Sequence, residues 1–328
     1  MPSAEQLKAL LRCHLEGDEA QFLSVAMQVA AHEARHGHGK LASELRDLID
    51  RAKARPRAGT VQPVPLVRPK GEMAELFSAG YPKQRLADMV LARETARRLN
   101  RLVTEHTQVQ KLRAHGLAPR KKLLLVGPPG SGKTLTASVL AGELGLPLFV
   151  VRLDALMTKF MGETAAKLRL IFDAIRDVRG VYLFDEFDSI GSSRSLSNDV
   201  GEIRRVLNSF LQLIEQDGSD SLLVAATNHA DLLDHALFRR FDDVIEYHLP
   251  EAREAVALLK AKLATVNLGR IYWAELGKQA AGLSHGDLTR ACEEAIKEMI
   301  IHGGERITHA VLRQSLVERR DFYQRRKV

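Results

Sequence analysis

Five short apolar runs mark the middle of the chain. They are KLLLVG (122–127), LPLFVVRL (146–153), GVYLFDE (180–186), SLLVAATN (221–228) and DVIEYHL (243–249). Four are too continuously apolar to leave one face in water, which predicts parallel strands covered on both sides. Helical stretches separate them, so the expected fold is α/β, a doubly wound parallel sheet. From 251 to 328 strand signals stop and the pattern predicts four helices. Helical periodicity is also expected from about Pro82 to Gly116.

The first 55 residues predict two or three short helices. Ser3 caps one carrying Leu7, Leu10 and Leu11, and Asp18 caps another with Phe22, Val25, Ala26 and Val29 as its stripe. A third runs from about Lys40 to Lys53. A unit this small has a marginal core, so it is read as an interaction domain over 1–55. Residues 56–75 hold Pro56, Pro63, Pro65 and Pro69 and read as an extended basic linker.

Charge and composition change this picture only in places. The net charge is +7, and residues 51–70 contain six basic side chains and no acid. Such a segment suits nucleic acid or acidic proteins, but it has no aromatic residue for base stacking, so a solvated linker is the favoured reading. No run of 18 apolar residues predicts a membrane-spanning helix, and MPSAEQLKAL lacks the features of a signal peptide. Two cysteines, Cys13 and Cys292, build no disulfide framework. The expected compartment is the cytoplasm.

The chemistry concentrates in Gly127-Pro128-Pro129-Gly130-Ser131-Gly132-Lys133-Thr134, which satisfies G-x-x-x-x-G-K-[ST] between a strand and a helix that continues at Leu135. Glycines let the backbone curl so that N–H groups face phosphate oxygens, and the helix adds its positive end. Lys133 suits the β- and γ-phosphates, and Thr134 offers a hydroxyl to Mg²⁺. The strand Val181–Phe184 ends in Asp185 and Glu186. Asp185 suits Mg²⁺ and Glu186 suits activation of the attacking water. A glutamate there disfavours a kinase of the same loop class.

With both motifs in this order, the chain resembles the AAA ATPases over about residues 76–315, particularly the single-ring protein-remodelling branch that includes katanin and spastin. The resemblance implies a large ATPase domain over 76–249 and a helical lid over 250–328. It implies ATP and Mg²⁺ as ligands and a ring in the form of a hexamer. Asn228, ending the strand VAATN, matches the sensor that orients the lytic water. Leu237-Phe238-Arg239-Arg240-Phe241-Asp242 resembles the arginine-finger segment, with Arg239 and Arg240 acting on the neighbouring subunit; the longer R-P-G-R-F-D form is missing. Lys159-Phe160-Met161-Gly162 resembles the pore loop that grips a translocating polypeptide, and Gly191–Asn198 a second such loop. Gly282-Leu283-Ser284-His285-Gly286-Asp287 resembles the lid segment against the nucleotide, with Gly286 as its small residue and His285 a departure from glycine. The segment Leu91–Gly130 is similar to bacterial stand-alone members, some of which suggest a partner effector such as a subtilisin-like protease.

Two alternatives to threading stand beside this reading. One is an ATPase switch that regulates an effector, another a nucleic-acid-associated ATPase, motivated by residues 51–70 and by Arg325, Arg326 and Lys327. Separately, His32-Glu33-Ala34-Arg35-His36 fits H-E-x-x-H, the zinc-protease pattern. That motif ends a short helix in a small unit, and a polar helix terminus is the favoured explanation.

Overall fold

A computed structural model describes residues 72–156, 163–187, 200–229 and 238–324, together with helical residues 25–27, 29–30 and 43. The expectations for His32–His36, for residues 51–70, for Phe160 and Met161 and for Gly191–Asn198 concern residues outside these. The chain divides into two units, Met1–Pro63 and Val64–Val328. In the first, helical residues 25–27 and 29–30 fall within the second expected helix, and Val29 and Ala30 are buried.

The second unit is built on a six-stranded sheet. Its strands are β1 (Phe77–Gly80), β2 (Lys122–Val126), β3 (Leu148–Val151), β4 (Val181–Phe184), β5 (Leu222–Thr227) and β6 (Asp243–Glu246), in the order β1-β3-β4-β5-β2-β6. The five strands expected from sequence are all present and mutually parallel, and β2 sits between β5 and β6 with Leu124 opposite Ala225 and Val244.

Burial on both sides explains the apolar runs, because successive strand residues feed opposite faces. Leu124, Tyr182, Phe184, Leu223 and Ala225 join one core, under helices α6 (Glu163–Asp177) and α7 (Val200–Gln216). Leu123, Leu125, Val181, Leu183, Leu222 and Val224 join the other, under α2 (Arg93–Thr107) and α4 (Lys133–Leu144). Phe172, Phe184 and Phe210 pack edge-on or offset in the first core, so few aromatics suffice to fill it. The shorter helices of this part are α1 (Glu72–Leu76), α3 (Val109–Ala114) and α5 (Leu153–Leu156).

Two expectations need correction. The edge strand β1 went unpredicted; it pairs antiparallel with β3, and only Phe77 of its four residues is buried, so FSAG carries no strand signal. The helix expected from about Pro82 begins only at Arg93. Residues 81–92 run mostly extended because they are fastened to α4: Arg85 Nη1 donates to the Gly142 carbonyl at 2.6 Å, and the Leu86 N–H donates to Glu143 at 2.8 Å.

The C-terminal residues form four helices, as expected: α8 (Ala252–Lys262), α9 (Trp273–Gln279), α10 (His285–Ile301) and α11 (His309–Gln324). They enclose their own core, which includes Leu259, Leu276, Leu288, Cys292 and Leu312. Ser284 caps α10 in a reciprocal capping box with Asp287.

Candidate functional site

A cavity of about 410 Å³ lies where the sheet meets the C-terminal helices, within the size range of ligand sites. One wall is the loop between β2 and α4. Pro129, Gly130, Ser131, Gly132, Lys133, Thr134 and Leu135 line it, joined by Asp185 and Glu186 after β4 and Asn228 after β5. All three segments follow the carboxyl ends of parallel strands, where open α/β sheets bind ligands.

The loop depends on its glycines. Gly127 has a left-handed φ, and a Cβ there would sit 2.4 Å from the Tyr247 carbonyl oxygen. Gly130, at φ +74°, would place a Cβ 2.5 Å from Ser284 Oγ. The Gly130 carbonyl accepts the Gly286 N–H at 2.9 Å, so α10 starts in contact with the loop.

Lys133 is buried, and its Nζ donates to the carbonyls of Gly127 at 2.7 Å and Pro128 at 2.9 Å, and to Asn228 Oδ1 at 2.8 Å. Thr134 Oγ1 donates to Asp185 Oδ2 at 2.6 Å. Glu186 is the one non-glycine residue at left-handed φ, 49°, among the described residues. It is exposed at the cavity, its N–H donating to Asp185 Oδ1. Backbone strain of this kind collects at functional positions.

The opposite wall went largely unread in the sequence. Asp88, Met89, Val90 and Leu91 arrive on the extended segment that Arg85 and Glu143 hold, and Leu258, Lys262, His285 and Thr289 come from α8 and α10. Only Gly286 of this wall was anticipated. Its apolar Val90, Leu91 and Leu258 suit a planar base. Both His285 ring nitrogens are out of solvent. Burial holds this imidazole below its ordinary pKa, against Glu254 and the Val90 backbone.

Arg239 and Arg240 do not line the cavity. Arg239 is exposed, and half-buried Arg240 reaches Glu215 on α7 at 3.4 Å. No described helix is long and apolar enough to cross a membrane.

The model of the ATPase family associated with various cellular activities (AAA) matches residues 123–249. An AAA family ATPase of Sinorhizobium fredii, y4kL, is 36% identical over 98% of this chain and 94% of its own length. ATP-dependent zinc metalloprotease FtsH 3 of Sphaerobacter thermophilus is 32% identical over 75% of this chain and 52% of its own. The proteasome-activating nucleotidase of Methanoculleus marisnigri is 36% identical over 58% of this chain and 48% of its own. The chain thus spans nearly all of the first relative and about half of the other two.

Proposed function

Because the chain belongs to the AAA family and is an ATPase, we propose that it works as a Mg²⁺-dependent ring, a hexamer, that remodels or threads a protein substrate in the cytoplasm. The observation that carries this is the convergence of Lys133, Thr134, Asp185, Glu186 and Asn228 on one cavity.

The roles follow from placement. The loop amides and Lys133 hold the phosphates, with phosphate oxygens taking over Lys133 bonds now made to carbonyls and Asn228. Thr134 and Asp185 present two hard oxygen donors together, which is the donor chemistry Mg²⁺ takes. When bound, that ion supplies positive charge to the phosphate oxygens. Glu186 takes the proton of the attacking water and Asn228 orients it. Gly286 brings α10 against the loop, so lid position and phosphate binding are linked.

Arg239 and Arg240 lie off the cavity, so a role for them at the γ-phosphate requires a second copy of the chain. That requirement supports a ring with shared sites. The names of two relatives join ATP to a metalloprotease and a nucleotidase to the activation of a proteasome. They support a protein substrate, engaged by Phe160 and Met161, and a partner effector, for which a subtilisin-like protease is one candidate.

The test is ATPase rate against protein concentration, for wild type, Glu186→Gln and Arg240→Ala alone and mixed. A cooperative rise with concentration, two inactive variants and recovery on mixing them is the expected result. Activity independent of concentration that survives Arg240→Ala would sink the ring. Phe160→Ala separates threading from switching: threading predicts loss of substrate processing with basal hydrolysis retained, and an effect-free variant favours the switch.

A further inference from the structure

Tyr247 follows β6 and lies outside the cavity, yet it touches both ends of the phosphate loop. Its carbonyl and Cβ press on Gly127, where the loop leaves β2. Its hydroxyl lies 2.6 Å from Thr136 Oγ1, two residues beyond Thr134 on α4. Both side chains are buried.

One assignment of the two hydroxyl hydrogens makes both of these bonds. Thr136 Oγ1 donates its single hydrogen to the Gly132 carbonyl, at 3.0 Å. The Tyr247 hydroxyl is therefore the donor to Thr136. Burial pushes that hydroxyl up to about 12, so it keeps its proton through the ordinary pH range. The chain of bonds runs Tyr247 Oη–H to Thr136 Oγ1–H to the Gly132 carbonyl.

The end point matters chemically. The Gly132 carbonyl and the Lys133 N–H belong to one peptide plane and point opposite ways. Holding the carbonyl back along α4 turns the N–H out toward the phosphate position at the helix start. The Thr136 N–H also donates to this carbonyl, at 2.9 Å, and because Gly132, at φ +102°, has a backbone that moves easily, the hydroxyl adds a second hold on the plane.

We propose that Tyr247 is a positioning residue for phosphate binding, acting through Thr136 on the Gly132–Lys133 peptide. It rests on the reading of the loop as the nucleotide site. The hold acts on substrate and transition state alike, so its loss raises KM with little change in kcat. A merely structural residue would instead lower the active fraction, cutting kcat at constant KM.

The experiment uses the full chain with Tyr247→Phe, Thr136→Val, Thr136→Ser and the Phe/Val double variant. It measures kcat and KM for ATP, and Kd for ADP. Tyr247→Phe and Thr136→Val should each raise KM and Kd about 3- to 10-fold, the worth of one net hydrogen bond. Thr136→Ser, which keeps the hydroxyl, should behave as wild type. The double variant should cost no more than Thr136→Val alone, because both changes cut one chain of bonds. Unchanged KM and Kd, a fall in kcat alone, or additive losses would overturn the inference. Lys133→Ala separates this from the underlying reading. If it binds ADP as wild type does, the loop is not the nucleotide site and both fall. If it abolishes ADP binding while Tyr247→Phe is silent, only the positioning role falls.

Discussion

The Gly286 N–H donates to the Gly130 carbonyl at 2.9 Å, joining the first turn of a C-terminal helix to the middle of the phosphate loop. Neither residue tolerates bulk equally. A Cβ on Gly286 would lie 3.5 Å from Gly130, an ordinary contact, whereas one on Gly130 would strike Ser284 Oγ on a left-handed backbone. Gly286→Ala should therefore bind ADP as wild type does, and Gly130→Ala should bind it roughly tenfold or more weakly. Titration with ADP checks both; equal effects would contradict the geometry.

Glu186 contributes no described side-chain bond to the fold and is exposed at the cavity. Glu186→Gln keeps its size and removes its basicity. Hydrolysis should fall by about 10²-fold or more while ATP still binds. Single-turnover rates alongside equilibrium ATP binding measure the split, and parallel loss of both would assign Glu186 to binding instead.

Stability at acid pH should depend on Glu105. Three bonds from Arg120, at its backbone N–H, Nε and Nη2, and one from Arg101 hold this carboxylate, which drops to about 2. Arg120 also bridges to Asp243 on β6 at 2.6 Å, so the cluster ties α2 to β6 and to the segment that leads into β2. A depressed folded-state pKa means the stabilisation is complete above about 4.5 and lost as pH falls toward 2. Partial exposure screens it, so Glu105→Gln should cost about 1–2 kcal/mol at pH 7 and less at pH 3. Denaturant melts at the two pH values decide it; a constant difference would contradict the assignment.

His285 predicts a pH dependence of the same sign in a higher window. Its folded pKa lies below the ordinary value of 6.5, so the unfolded chain binds the extra proton. Stability should fall as pH drops from 7 through 6, and His285→Asn should flatten that slope. Thermal melts across this range measure it. An identical slope in the variant would mean that other groups carry the acid sensitivity.

The chemical half of the site was legible because it is local. Gly127 through Thr134 are consecutive, and their glycines, lysine and hydroxyl specify the loop without distant help. Asp185, Glu186 and Asn228 were legible because each ends an apolar run, and parallel strands bring their carboxyl ends together. The edge strand β1 was not, since its partner is β3, some seventy residues on, and only Phe77 is buried.

What the sequence determined by itself is therefore the α/β class, the five parallel strands, the four C-terminal helices and the identity of the phosphate loop. All of these depend on hydrophobic period or on chain-local geometry. Tertiary structure decided which residues face that loop. Val90, Leu258 and His285 reach the cavity from three separate segments, and Tyr247 meets Thr136 across 111 positions. Their partners are set by shape and hydrogen-bond complementarity between distant parts of the chain, which leave no periodic mark along it.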